Sequence, residues 1–167
     1  MKQKPDTFLE AGAMFPDFNL PADDGRRYSR LSILGQAPAV LFAVFKSDCP
    51  TSQFSLPYFN NLLAQVPQLP FIGISQDDSR ETAEFLQRWG SRFTRVLYEE
   101  EPYPLSDALG ISNVPALFLV DQAGQILTSD FGYTETFWEK LAQKAASVFG
   151  VTVGPIVPAD APRWAPG

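Results

Sequence analysis

The feature that most constrains the fold is an uninterrupted apolar run, Ala39–Phe45, followed closely by the only cysteine, Cys49, and by Pro50. An apolar run without alternation predicts a central strand that is buried on both faces. Proline is favoured at the first position of a helix, so we expect a helix from about Pro50 to Ala64, kinked at Pro57. The sequence therefore places its one thiol between a buried strand and the start of a helix.

The remainder of the chain alternates between short apolar runs and amphipathic stretches. We expect further strands at residues 27–29, 71–75, 95–98, 116–120 and 125–128, and helices at 31–34, 78–89, 104–109 and 134–149. The first half predicts parallel crossovers and the second half an antiparallel hairpin, so the sheet should be mixed. This is an α/β fold with helices flanking a mixed central sheet.

The C-terminal segment differs in composition from what precedes it. Residues 151–167 hold Pro155, Pro158, Pro162 and Pro166, and this composition favours an extended or disordered segment. We therefore expect one domain over residues 1–150, followed by a proline-rich tail at 151–167.

Charge and residue counts exclude several classes of function. The net charge of −6 argues against nucleic-acid binding and against docking on anionic membranes. The absence of histidine excludes Ser–His–Asp triads, Cys–His dyads and His-ligated metals. One cysteine allows no intrachain disulfide. We expect no cofactor and no metal, and the lack of a recognisable signal peptide predicts a cytoplasmic protein.

Cys49 is the first candidate for chemistry. Unpaired amides at the start of a helix and the positive end of its dipole both stabilise a thiolate relative to a thiol. Lys46 could add positive charge, whereas Asp48 would oppose it. The alternative interpretation is that Cys49 is only a small buried apolar side chain, as many free cysteines are.

A second candidate is the dipeptide Val114–Pro115, which directly precedes the predicted strand at 116–120. A bond before proline is cis far more often than other peptide bonds, so one interpretation is a cis bond at this position. The alternative is a trans proline that simply begins a strand.

These motifs together resemble one family. Phe15–Leu20, Asp24–Gly25, the run into Cys49–Pro50 and Val114–Pro115 are similar to the redoxin group over roughly residues 10–150. That group includes alkyl hydroperoxide reductase/thiol-specific antioxidant proteins and TlpA-like thiol-disulfide oxidoreductases. The resemblance implies a thioredoxin-like three-layer sandwich with an N-terminal redoxin-type extension, and it implies redox chemistry at Cys49. It also implies that the Val114–Pro115 bond is cis and faces Cys49, so that Val114 presents its backbone to an extended peptide.

The sequence departs from both branches of that group. In the C-x-x-C motif of the thioredoxin branch, Ser52 holds the place of the resolving thiol, Ala43 that of a buried acid and Asp48 that of a tryptophan. In the P-x-x-x-T-x-x-C motif of peroxiredoxins, Phe42 and Lys46 replace the proline and the threonine. Pro115 stands where those peroxidases carry an arginine. Ser52 is either the natural residue or a replacement for cysteine.

Three hypotheses follow from the resemblance and its gaps. The first is a thiol-disulfide oxidoreductase that forms mixed disulfides through Cys49 with a protein disulfide or a low-molecular-weight thiol such as glutathione. The second is a one-cysteine antioxidant peroxidase, and the third is a non-catalytic binding module that keeps the fold. The residues assigned to catalysis are Cys49, Pro115 and, as a resolving position without a thiol, Ser52; those assigned to substrate contact are Pro50, Thr51, Val114 and Lys46.

Overall fold

The chain folds into nine short strands and six α-helices in the computed structural model, which describes residues 3–167. The strands are β1 (Asn19–Pro21), β2 (Arg27–Ser29), β3 (Ala39–Phe45), β4 (Phe71–Ser75), β5 (Arg95–Tyr98), β6 (Ala116–Asp121), β7 (Ile126–Phe131), β8 (Tyr133–Thr134) and β9 (Trp164–Ala165). The helices are α1 (Arg30–Leu34), α2 (Pro50–Ser55), α3 (Phe59–Gln65), α4 (Ser79–Trp89), α5 (Pro104–Ala108) and α6 (Glu135–Val148).

Strands β3 to β7 form a five-stranded central sheet in the order β5-β4-β3-β6-β7. Strand β3 pairs in parallel with β4, and β4 with β5, whereas β3–β6 and β6–β7 are antiparallel. The predicted mixed sheet is therefore confirmed, although β7 runs beyond the predicted end at residue 128. Strand β3 lies at the centre, so the loop that follows it is held by strands on both sides.

The continuous apolar character of β3 reflects burial on both faces of the sheet. Leu41, Ala43 and Phe45 point into the cluster formed with α3, α4 and α6. Val40 and Phe42, from the alternate positions, face the second cluster, which is covered by α1, α5 and the N-terminal residues. The layers are thus helix, sheet and helix, as expected for the predicted sandwich.

The long helix predicted after Cys49 is divided at Pro57. Helix α2 ends at Ser55, a 3-10 turn spans Leu56–Tyr58, and α3 begins at Phe59. Proline lacks a backbone donor and cannot sit in a continuous helix without a break. The interruption confirms the predicted kink and leaves α2 as a short helix that carries the residues after Cys49.

The C-terminal segment is extended apart from a turn at 158–161, and it lies against the core. Val153, Ile156 and Val157 are buried in the cluster that contains α6. Both oxygens of the Glu139 carboxylate accept hydrogen bonds from the Ile156 amide at 3.0 and 3.1 Å, and the Val157 amide donates to Oε1 at 2.7 Å. Of the two states that composition favours for this segment, the structure shows the extended one.

Within residues 3–167, no helix has both the length and the apolar character needed to cross a membrane.

Candidate active site

Cys49 occupies the N-cap of α2, directly before Pro50 at the first helical position. Its Sγ accepts a hydrogen bond from the Ser52 amide at 3.4 Å. The side chain is partly exposed, so the thiol is neither a core residue nor free in solvent. The predicted position between strand and helix is confirmed, and the alternative of a fully buried apolar cysteine is wrong.

The Val114–Pro115 peptide bond is cis, as predicted. The Val114 carbonyl oxygen lies 3.4 Å from the Cys49 Sγ and accepts its S–H hydrogen bond. Pro115 is buried and its carbonyl oxygen accepts from the Gly132 amide at 2.7 Å, which fixes this loop to the residue after β7. The two features that the sequence singled out separately therefore meet at one place.

The two contacts of the Cys49 sulfur have different chemical consequences. A thiol is a weak donor and a weak acceptor, so it can satisfy both the Val114 carbonyl and the Ser52 amide. A thiolate keeps the amide contact, because it accepts, but has no proton to give to the carbonyl. Ionisation thus frees the carbonyl of Val114 at the moment when the sulfur becomes a nucleophile.

The loop between β3 and Cys49 is held by side chains that the sequence did not single out. The Asp77 carboxylate accepts from the Ser47 amide at 2.6 Å, and the Gln53 side chain donates to the Ser47 carbonyl at 2.9 Å. The Lys46 carbonyl accepts from the Cys49 amide at 3.2 Å, and within residues 3–167 the Lys46 ammonium forms no ion pair. Lys46 therefore shapes the loop through its backbone.

The other predicted contact residues lie on either side of Cys49. Pro50 is exposed. Thr51 is buried, and its Oγ1 donates to the Pro166 carbonyl oxygen at 2.5 Å. The Thr51 hydroxyl is therefore already engaged by the chain itself.

Ser52 is completely buried behind the cysteine, on the first turn of α2. Its Oγ forms no hydrogen bond with any part of the chain that the structure describes. Three residues further on, the buried Ser55 hydroxyl donates to the Thr51 carbonyl at 2.6 Å. A buried hydroxyl without a partner is costly, whereas a thiol, a weaker donor, loses less in such a place. The pocket of Ser52 is better suited to a sulfur than to an oxygen.

A cleft of about 290 Å³ lies on the Val114 side of the site, between that residue and α5. Helix α5 is positioned by Glu99, a buried carboxylate that accepts from the Ser106 amide at 2.9 Å and from the Ser106 hydroxyl at 2.5 Å. Tyr103, which also lines the cleft, has a left-handed backbone with φ 55°. Neither Glu99 nor Tyr103 was found by sequence reasoning, because no local motif links a strand end to a helix seven residues away.

Two positions that carry functional residues in the two branches of the redoxin group hold buried apolar side chains here. Phe42 is a core residue whose ring stacks on Phe15 with centroids 4.5 Å apart. Ala43, where the thioredoxin branch carries a buried acid, is wholly buried and has no titratable group. Among residues 3–167, no cluster of three or more His, Cys, Asp or Glu could hold a metal ion.

Comparison with known proteins agrees with this geometry. The model of the AhpC/TSA family matches residues 11–129, which include Cys49 and Pro115. The chain belongs to the AhpC/TSA family. The match ends within β7, so α6 and the C-terminal segment lie beyond it.

The chain is also similar to proteins of disulfide exchange. It is 27% identical to the thiol:disulfide interchange protein DsbE of Escherichia coli K12 over 146 residues, which are 81% of this chain and 77% of that protein. A candidate DsbE structure from Chlorobium tepidum has a TM-score of 0.72 at 23% identity, covering 85% of this chain and 99% of the other. The structure of Mycobacterium tuberculosis DsbF has a TM-score of 0.66 at 19% identity, and the match covers 87% of this chain and 99% of that one. These likenesses confirm the thioredoxin-like α/β fold.

Proposed function

We propose that this AhpC/TSA-family protein is a monothiol disulfide-exchange protein that forms mixed disulfides with partner proteins through Cys49. The observation that carries the proposal is the contact of the Cys49 Sγ with the Val114 carbonyl at 3.4 Å. It puts a partly exposed thiol beside a loop whose backbone can align an extended peptide. The similarity to DsbE, a protein named for thiol:disulfide interchange, supports the same class of substrate.

The first step is attack on a disulfide. The Cys49 thiolate attacks one sulfur of the partner's disulfide, a new S–S bond forms between Cys49 and that sulfur, and the partner's other sulfur leaves as a thiolate that takes up a proton. No electrons are gained or lost overall, because one disulfide replaces another. The Ser52 amide, 3.4 Å from Sγ, stabilises the attacking thiolate.

The second step needs a thiol from outside the chain. Ser52 offers only a hydroxyl, which stays protonated at neutral pH and cannot attack a disulfide. An external thiol attacks the Cys49 sulfur and releases the reduced partner, and a second such thiol then frees Cys49 and leaves as the oxidised external disulfide. Two external thiols are oxidised and one partner disulfide is reduced. A low-molecular-weight thiol such as glutathione is the simplest candidate for this role.

Partner alignment is the proposed task of Val114. Within residues 3–167 the Val114 amide makes no hydrogen bond, so its N–H can pair with an extended backbone. Main-chain pairing of this kind gives affinity without demanding one partner sequence. The exposed Pro50 borders the same surface.

The proposal is tested by following the intact mass of the protein with two oxidants. Incubation with a disulfide-bonded protein such as insulin should give a covalent adduct that maps to Cys49 and disappears on reduction. Incubation with hydrogen peroxide should give sulfenic acid more slowly. Rapid sulfenic acid without the adduct would favour a one-cysteine peroxidase, since that reaction needs no partner disulfide.

The matched control is Cys49→Ser, which keeps an N-cap side chain and removes the sulfur. It should bind partners without forming any adduct. If the wild-type chain forms no adduct with either oxidant, the protein is a non-catalytic binding module and the exchange proposal fails.

A further inference from the structure

The last residues of the chain, Trp164–Gly167, lie across the surface where a partner peptide is proposed to dock. We infer that this segment is a built-in occupant of the peptide site, and that a partner must displace it before its disulfide can reach Cys49. The inference rests on the proposed function, and it assigns to that site both an internal competitor and a class of ligand.

The segment is seated by backbone pairing and by two side-chain hydrogen bonds. Strand β9 runs antiparallel to β8, with Ala165 opposite Tyr133. Beyond β9, the Pro166 carbonyl accepts from the Thr51 hydroxyl at 2.5 Å. The Gly167 carbonyl accepts from the Asn113 side-chain amide at 3.1 Å. One bond thus reaches the cysteine motif and the other reaches the loop that carries Val114.

Gly167 also packs tightly on the Val114 loop. A Cβ atom added to Gly167 would lie 2.9 Å from the Asn113 Cβ, 3.0 Å from the Val114 carbonyl oxygen and 3.2 Å from the Gly132 amide nitrogen. The Val114 oxygen is the atom that contacts the Cys49 Sγ. An alanine at position 167 would therefore force the segment or the Val114 loop to shift.

Two backbone carbonyls tie the segment to β8 and α6 before β9, and one side-chain hydrogen bond per residue holds it beyond β9. The Pro162 carbonyl accepts from the buried Tyr133 hydroxyl at 2.8 Å, and the Arg163 carbonyl accepts from the Glu135 amide at 2.8 Å. Pro162, Arg163, Pro166 and Gly167 are all exposed, so none of them is locked in the core. The bonds of Pro162 and Arg163 keep residues 164–167 at a high effective concentration at the site, while only one side-chain hydrogen bond at each of Pro166 and Gly167 must break for a peptide to replace them.

The class of ligand follows from what the site already holds. The occupant is an extended strand that ends in small and cyclic residues, and its contacts with Thr51 and Asn113 go to backbone carbonyls rather than to side chains. The site should therefore accept an extended segment next to a partner's disulfide, with small residues at the point where the peptide backbone passes Val114. A compact thiol or disulfide reagent needs no strand pairing, so it should reach Cys49 without displacing the segment.

A single added methyl group tests the inference in the full-length chain. Gly167→Ala cannot be accommodated without moving the segment, whereas Gly154→Ala in the same tail meets only the Gln65 Oε1 at 3.7 Å and serves as the control. A chain that ends at Arg163 is the second variant, because it keeps the bonds to Tyr133 and Glu135. Amide chemical shifts of Asn113, Val114 and Thr51 show whether the segment has left the site.

The readout is the rate at which Cys49 forms a mixed disulfide with two probes, dithiodipyridine and an extended peptide that carries an activated disulfide. With the peptide, Gly167→Ala and the shortened chain should react roughly tenfold faster than wild type. This ratio corresponds to a decrease of about 1.4 kcal/mol in the free energy needed to displace the segment. With dithiodipyridine the rates should stay within about twofold, and Gly154→Ala should match wild type with both probes.

Equal peptide rates in wild type and both variants would overturn the inference, as would an equal acceleration with both probes. Absence of any reaction at Cys49 in every chain is a different result, since it contradicts the exchange function itself.

Discussion

Ser52 lies directly behind Cys49: its amide donates to the Cys49 Sγ at 3.4 Å, while its own hydroxyl is fully buried and has no hydrogen bond within residues 3–167. The same residue thus supports the nucleophile through its backbone and fails, through its side chain, to provide the second thiol. The proposed one-thiol mechanism rests on this arrangement, which leads to the first prediction.

Removal of the Ser52 hydroxyl should not weaken the fold. Ser52→Ala is expected to leave the free energy of unfolding unchanged or to raise it by about 1 kcal/mol, because the unsatisfied buried oxygen is lost. Ser55→Ala, on the same helix, removes a hydroxyl that donates to the Thr51 carbonyl and should lower that free energy by about 1 kcal/mol. Urea unfolding of both variants checks the contrast, and an equal loss in the two would show that Ser52 has an unseen partner.

The Glu99 carboxylate should stabilise the cleft beside Val114. In Glu99→Ala the buried amide and hydroxyl of Ser106 lose their acceptor, so we expect a loss of about 1–3 kcal/mol in the free energy of unfolding. The neighbouring Glu100 is exposed, and Glu100→Ala should change that free energy by less than about 0.5 kcal/mol. Thermal or urea unfolding of the pair is the measurement. Similar free energies of unfolding for the two variants would mean that the hydrogen bonds of Glu99 make no net contribution to stability.

Glu139 should anchor the C-terminal segment. Its carboxylate accepts from the Ile156 and Val157 amides, and hydrogen bonds to charged groups are stronger than neutral ones. Glu139→Ala is expected to lower the free energy of unfolding by about 1–3 kcal/mol and to increase hydrogen exchange at the Ile156 and Val157 amides. Lys140→Ala, at an exposed position of the same helix, is the control. Unchanged exchange in Glu139→Ala would contradict the anchoring role.

Stability above neutral pH should depend on Tyr133. Burial, followed by the nearby Tyr58 and two carboxylates, raises the pKa of Tyr133 to about 12 from its usual 10.0. Between these two values the folded state holds a proton that the unfolded state has lost, so the free energy of unfolding falls as pH rises from about 10 to about 12.

The variant Tyr133→Phe isolates this effect. At neutral pH its free energy of unfolding should be about 1 kcal/mol lower than that of wild type, because the hydroxyl no longer donates to the Pro162 carbonyl. Above pH 10, however, its free energy of unfolding should fall less steeply than that of wild type. The difference in slope should be at most about 1.4 kcal/mol per pH unit. Parallel curves for the two proteins above pH 10 would show that Tyr133 titrates as it does in the unfolded chain.

The sequence predicted the core of the site because its signals are local. The apolar run Ala39–Phe45 is typical of a central strand, and Cys49–Pro50 and Val114–Pro115 each mark the start of an element. Their meeting followed from the family resemblance rather than from any spacing. No observation bears on the cytoplasmic location, which stays a prediction.

The contacts that sequence reasoning missed join residues far apart in the chain. Thr51 and Pro166 are separated by 115 positions, and nothing in the composition of the tail indicates that it returns to the cysteine motif. A proline-rich stretch looks unstructured because its own local interactions are few. It is ordered here by Glu139, Tyr133 and Thr51, which lie on other elements.

The most direct test of the account is the lifetime of the mixed disulfide in wild type and in Ser52→Cys. Each protein is allowed to react with insulin, small thiols are removed, and the fraction of covalent complex is followed by intact mass. We predict that the wild-type complex persists. Ser52→Cys should release reduced partner and lose two hydrogens as its introduced thiol closes a disulfide with Cys49. A wild-type chain that releases reduced insulin unaided, or a Ser52→Cys complex that is equally long-lived, would contradict the claim that exchange at this site stops for want of a second thiol. Loss of the wild-type complex with return of oxidised insulin is only the reverse of the first step.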